Sequence, residues 1–161
     1  MGPDSTYTVE RSRVMNADLG QVFEQVVDFH RWPAWSPWED IDPAIQRTYS
    51  GPEQGVGSVY EWSGNRKAGQ GRMEITSAER GGDRGQVVID LRFVKPFKSE
   101  TTTTFTLQPE GTGTRVTWRL VGPQSLATKV MGLFTSMDKM VGKDFEKGLT
   151  RLKAVTETTS L

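Results

Sequence analysis

The sequence contains no cysteine, so neither a disulfide nor thiolate chemistry is available to it. It has a single histidine, His30, which with the missing thiols excludes the usual Cys/His zinc site. No spacing of one histidine with several carboxylates replaces it, and neither a metal nor a cofactor is expected. Neither sign of charge is in excess. The 20 Lys and Arg balance 20 Asp and Glu, so no net field holds a polyanion and nucleic acid is not an expected partner. A long apolar run able to cross a bilayer is missing, as is a signal-peptide pattern in MGPDSTYTVE, and a cytoplasmic protein is the expectation. Gly-x-Ser-x-Gly and Gly-x-x-x-x-Gly-Lys-Ser/Thr are absent too. The pairs Gly55/Gly57, Gly69/Gly71 and Gly111/Gly113 lack the third glycine of a dinucleotide loop and read as turns.

What is present has a clear order. A length of 161 residues suits one domain with a hydrophobic core, spanning residues 1–161 with 1–5 and 158–161 as flexible ends. The segment YTVERSRVM reads as a first strand. In NADLGQVFEQVVDF, Asn16 or Asp18 can cap a helix whose Val22, Phe23, Val26 and Val27 share one face. Pro33 and Pro37 then limit HRWPAWSPWEDIDP to one or two helical turns.

From residue 44 to 122 strand follows strand: AIQRTYS, GSVYEWS, GRMEITSAE, QVVIDLRFV, SETTTTFTLQ and TRVTWRLV. The short Gly-rich connections between them favour hairpins, hence an antiparallel meander. Alternation makes the sheet one-sided. Val87, Ile89, Leu91 and Phe93 oppose Val88, Asp90 and Arg92, while Val116, Trp118 and Leu120 oppose Arg115, Thr117 and Arg119. Glu61, Glu74, Asp90 and Glu100 then fall on the wet face, within reach of arginines on neighbouring strands.

Such a sheet must be covered. SLATKVMGLFTSMDKMVGKDFEKGLTRLKAV carries apolar residues at three-to-four spacing and reads as a long amphipathic helix. Gly132, Gly142 and Gly148 are tolerable inside it where another element approaches closely, and Thr135 with Asp138 leaves open a break near residue 135. The fold class is α+β: a seven-stranded antiparallel sheet curled around a long C-terminal helix, with two short helices between the first and second strands. A curved sheet and one cylinder leave a cavity between them.

The stretches VMNADLGQVFEQVVDFHRWPAWSPW, YEWSGNRKAGQGRMEIT and MDKMVGKDFEKGLTRLKAV are similar to the START-like, helix-grip superfamily, in its polyketide cyclase/dehydrase and lipid-transport (SRPBCC) branch. The likeness spans roughly residues 7 to 157. It implies a single START-like domain whose cavity takes an apolar ligand. It carries over no catalytic motif, since members include lipid carriers, aromatase/cyclases, hormone receptors and chaperone-ATPase activators.

Candidate ligand residues follow from the pattern. Trp32, Trp35 and Trp38 crowd into seven residues, and two of the indoles are expected in the core with one on the cavity wall. Tyr60 and Trp62 share a face of the third strand, and Tyr60 offers a hydroxyl. Met73, Ile75, Ile89, Leu91, Phe93 and Trp118 supply the apolar inner face. On the last helix Phe134, Met137 and Val141, beside Met131 and Met140, suit either an adaptable pocket or plain core. Thr101 and Thr103 share a face with Phe105 and Leu107, which brings two hydroxyls to the cavity. His30 is the one candidate base, although its place just before Pro33 fits an exposed or capping role.

The expected function is binding or transport of a lipid, isoprenoid or aromatic polyketide by a monomer or weak dimer. A polyketide cyclase/dehydratase is the alternative, and a chaperone-activator-like interaction module a third reading.

Overall fold

The computed structural model describes residues 6–37, 44–65, 69–95, 99–123 and 133–159, with side chains for 8–37, 44–65, 69–95, 99–122 and 141–157. Strand β1 (Thr6–Met15) leads to helix α1 (Leu19–Val27) and a 3₁₀ helix (Phe29–Ala34). Six strands follow: β2 (Gln46–Ser50), β3 (Val59–Ser63), β4 (Gln70–Gly81), β5 (Arg84–Lys95), β6 (Ser99–Glu110) and β7 (Gly113–Pro123). Helix α2 (Leu133–Thr159) closes the order and runs unbroken through Thr135. Gly132 and Met131 lie outside the described residues.

Every strand pairing is antiparallel, in the order β1-β7-β6-β5-β4-β3-β2. From β2 to β7 sequence neighbours are neighbours in space, as short hairpin loops require, and Gly81 pairs with Arg84 and Glu110 with Gly113 across two-residue turns. Only β1 departs from the meander, crossing to pair with β7 along its whole length. The architecture is the predicted one: a seven-stranded antiparallel sheet, a long C-terminal helix and two short helices after the first strand.

Asp18, rather than Asn16, caps α1, and its backbone N–H donates to Gln21 Oε1 at 3.3 Å. The face formed by Val22, Val26 and Val27 is buried. One residue beyond the helix, Asp28 starts the 3₁₀ turn by accepting the His30 N–H at 2.9 Å. This tight turn folds two indoles back under α1. Trp32 Nε1 donates to the Val26 carbonyl at 2.9 Å and Trp35 Nε1 to the Gln25 carbonyl at 3.2 Å, so both buried N–H groups are satisfied.

Their rings meet Phe105 of β6 and Trp118 of β7 edge-on, with centroids 5.7 to 6.3 Å apart. Phe145 of α2 completes the cluster, stacked on Trp118 at 4.2 Å with 10° between the planes. Gly148 permits that approach, because a Cβ there would lie 2.8 Å from Trp118 Cζ3 and 2.9 Å from Pro37 Cδ. The close approach expected of Gly148 is therefore made by a strand-borne indole and by Pro37, which follows the 3₁₀ helix.

On the outer face the charges pair more often along a strand than the alternation suggested. Arg92 lies 2.9 Å from Asp90 and Arg72 lies 3.2 Å from Glu74, each two residues away on its own strand. Arg92 also reaches Glu100 across to β6, at 3.8 Å. Residues i and i+2 share a face, and the long guanidinium arm spans that spacing.

Candidate functional site

At the β2 end of the sheet the register gathers a second group of rings. Tyr49 stands opposite Tyr60 and Arg47 opposite Trp62. Across the next ladder Tyr60 faces Met73 and Trp62 faces Gly71, which in turn face Leu91 and Phe93 of β5. Directly opposed residues share a face, so all of these side chains look to the inner side of the sheet.

Gly71 determines how the row packs. A Cβ at that position would come within 2.4 Å of Trp62 Cη2, so the indole lies flat across the glycine and meets Phe93 edge-on at 5.7 Å and 85°. Tyr60 links the row to the core, with ring centroids 6.2 Å from Trp62, 5.4 Å from Tyr49 and 6.0 Å from Phe29. The outermost member is His30, stacked on Tyr49 at 4.2 Å. Tyr49, Trp62 and Phe93 are only half-buried: each packs against the core and keeps part of its surface exposed.

Polar groups are few here. Burial pushes the Tyr60 phenol above its ordinary pKa of 10.0, while the Arg47 guanidinium that hydrogen-bonds to it pulls the other way. Tyr49 is raised as well, first by burial; Arg47 opposes this and the Asp28 carboxylate adds to it. Asp28 Oδ1 lies 2.9 Å from His30 Nδ1, and Arg31 Nε lies 3.7 Å from the other carboxylate oxygen. Deeper on the same face are Ile75, Ile89 and Leu91, then the hydroxyls of Thr101 and Thr103 on β6.

The predicted site residues thus divide. Tyr60, Trp62, Met73, Leu91 and Phe93 come together in the row and beneath it. Trp32, Trp35, Phe105 and Trp118 join the closed cluster, and Val141 of α2 packs half-buried against the core. Trp38 lies outside the described residues, as do the side chains of Phe134, Met137 and Met140. Arg47 and Tyr49 are the two members of the site that local sequence pattern does not single out. Their signal was the alternation of QRTYS, which could be assigned a face only once β2 was paired with β3.

Other features of the molecule differ in kind. A groove of about 440 Å³ runs between β1 and α2, lined by Arg11, Arg13, Lys147 and Thr150. The Arg11–Glu146 ion pair, at 2.9 Å, ties its walls together. Among the described residues no group of three or more His, Asp or Glu could hold a metal, and no helix is long and apolar enough to cross a membrane.

Residues 6–157 match the family model described as polyketide cyclase / dehydrase and lipid transport. The chain belongs to this family. Solved structures agree with the architecture. The di-domain ARO/CYC protein StfQ of the steffimycin biosynthetic pathway superposes with a TM-score of 0.67 at 10% identity, over 96% of this chain and 52% of that one. Ara h 8.0201 gives 0.64 at 12% identity over 96% and 99% of the two chains. Protein CV1439 from Chromobacterium violaceum gives 0.64 at 17% identity over 93% and 96%. At such identities the likeness is one of fold. No protein with a curated description matches the sequence.

Proposed function

We propose that this family member binds and carries a hydrophobic small molecule, a lipid, isoprenoid or aromatic polyketide, against the inner face of β3, β4 and β5. The observation that carries this reading is the half-open row of Tyr49, Trp62 and Phe93 on a face whose other rings are closed. Covering such surface with an apolar ligand yields about 25 cal/mol per Å² removed from water. The Tyr60 hydroxyl and Arg47 give the rim a polar edge that fixes orientation. The family supports the same reading through its lipid-transport branch.

The test is a titration with N-phenyl-1-naphthylamine, followed by its fluorescence, beside native mass spectrometry of the purified protein. Saturable binding that weakens about fivefold or more in Trp62→Ala is expected, since one stacked ring contact contributes roughly 1 kcal/mol. Absence of saturable binding, or binding indifferent to Trp62→Ala and Phe93→Ala, overturns the reading.

A second reading, a cyclase or dehydratase, is favoured by one contact. The Asp28 carboxylate beside His30 Nδ1 leaves Nε2 as the ring nitrogen able to take a proton, at the edge of the same row. Turnover of a poly-β-ketone substrate that disappears in His30→Ala, with N-phenyl-1-naphthylamine affinity kept, is its expected mark.

A further inference from the structure

Two threonines on β6 share the inner face and differ in one respect. Thr101 Oγ1 donates to the Leu91 carbonyl at 3.3 Å. Thr103, two residues on, is only 3% exposed, and its hydroxyl oxygen has no hydrogen-bond partner. Thr103 is opposed by Ile89 on β5 and Leu120 on β7, with Thr101 and Phe105 on either side of it along its own strand and face. The Thr101 hydroxyl is already bonded to the Leu91 carbonyl.

Burying a hydroxyl in this way weakens folding by about tenfold or more, whereas valine would fill the same β-branched volume without that loss. The other buried side-chain oxygen without a partner among the described residues, Gln25 Oε1, lies on α1 rather than on the sheet.

We propose that Thr103 Oγ1 is the internal anchor of the ligand, which is an apolar molecule bearing an oxygen function, a hydroxyl or a carbonyl, that enters oxygen first. The inference rests on the binding function proposed above. It adds a ligand class and a direction: the oxygen lies deep beside Thr103, and the apolar remainder extends past Leu91 and Met73 toward Trp62 and Phe93. A threonine hydroxyl both donates and accepts, so a ketone, an alcohol or a phenol each satisfies it. A pure hydrocarbon leaves it unsatisfied.

The experiment compares anthracene with 2-hydroxyanthracene, which differ by one hydroxyl, on the full chain and on Thr103→Val, Thr101→Val and Thr103→Ser. The wild type is expected to bind 2-hydroxyanthracene about tenfold more tightly than anthracene. Thr103→Val brings that ratio to about one and raises the melting temperature of the ligand-free protein by a few degrees. Thr103→Ser and Thr101→Val keep the ratio.

A wild-type ratio near one, a ratio unchanged in Thr103→Val, or a fall in melting temperature like that of Thr101→Val overturns the anchor and leaves the binding function standing. Failure of both probes to bind the wild type removes the binding function, and the anchor with it. Should Thr103→Val not fold, Thr103→Ala makes the same comparison of ratios.

Discussion

Two groups of aromatic rings lie against the inner face of this sheet and end in opposite states. At the β7 end Trp32, Trp35, Phe105, Trp118 and Phe145 are at most 3% exposed, and the indole N–H groups of Trp32 and Trp35 donate to backbone carbonyls. At the β2 end Tyr49, Trp62 and Phe93 sit in the same edge-on geometry but remain half-buried. α1, the 3₁₀ turn and the Phe145 face of α2 pack on one group, while the rings of the other, though packed against the core, keep part of their surface exposed. A tryptophan's role is set by what lies over it.

Truncation should separate the groups most sharply. Trp35→Ala empties a fully enclosed site and is expected to cost about 3–5 kcal/mol, read as a large drop in urea or thermal midpoint. Trp62→Ala removes a ring already in contact with solvent. It should cost about 1 kcal/mol and show its main effect in the N-phenyl-1-naphthylamine titration. Equal stability losses would mean that the two groups are one core.

A smaller effect is expected from filling the glycines beneath each group. Gly148→Ala gains about 1 kcal/mol in helix propensity but drives a methyl into Trp118 and Pro37, so a net loss of about 1–2 kcal/mol should follow. Gly71→Ala meets the Trp62 ring at 2.4 Å and the Arg92 carbonyl at 2.6 Å. Displacement of that indole should alter tryptophan emission and probe affinity, and the carbonyl contact, which no ring rotation relieves, should lower the denaturation midpoint as well.

The smallest effect lies in alkaline titration. Burial raises the Tyr60 pKa in the folded protein, so the stability it contributes is complete below the unfolded value near 10 and lost as pH rises through the folded one. Unfolding free energy should therefore decline above about pH 10, and Tyr60→Phe should flatten that decline. Spectrophotometric titration of tyrosinate should show Tyr60 ionising late. A Tyr60 that ionises at its ordinary pKa would place the phenol in water and open the row further.

Much of this was legible in the sequence. Strict alternation in QVVIDLRFV and TRVTWRLV fixed which residues are inward, because neighbouring side chains on a strand point to opposite faces regardless of what surrounds them. Hairpin-length connections fixed the order from β2 to β7, and three-to-four spacing fixed the last helix. Those are local properties of the chain.

The tertiary structure alone decided the rest. Pairing of β1 with β7 joins segments about a hundred residues apart, and no local pattern encodes it. The face of β2, and with it Arg47 and Tyr49, followed from register with β3. Of two threonines on one face of β6, one hydroxyl found a carbonyl across the sheet and the other found no partner. Which indoles closed into core and which stayed open depended on the helices laid over them, and burial is a property of the neighbours a residue acquires rather than of the residue itself.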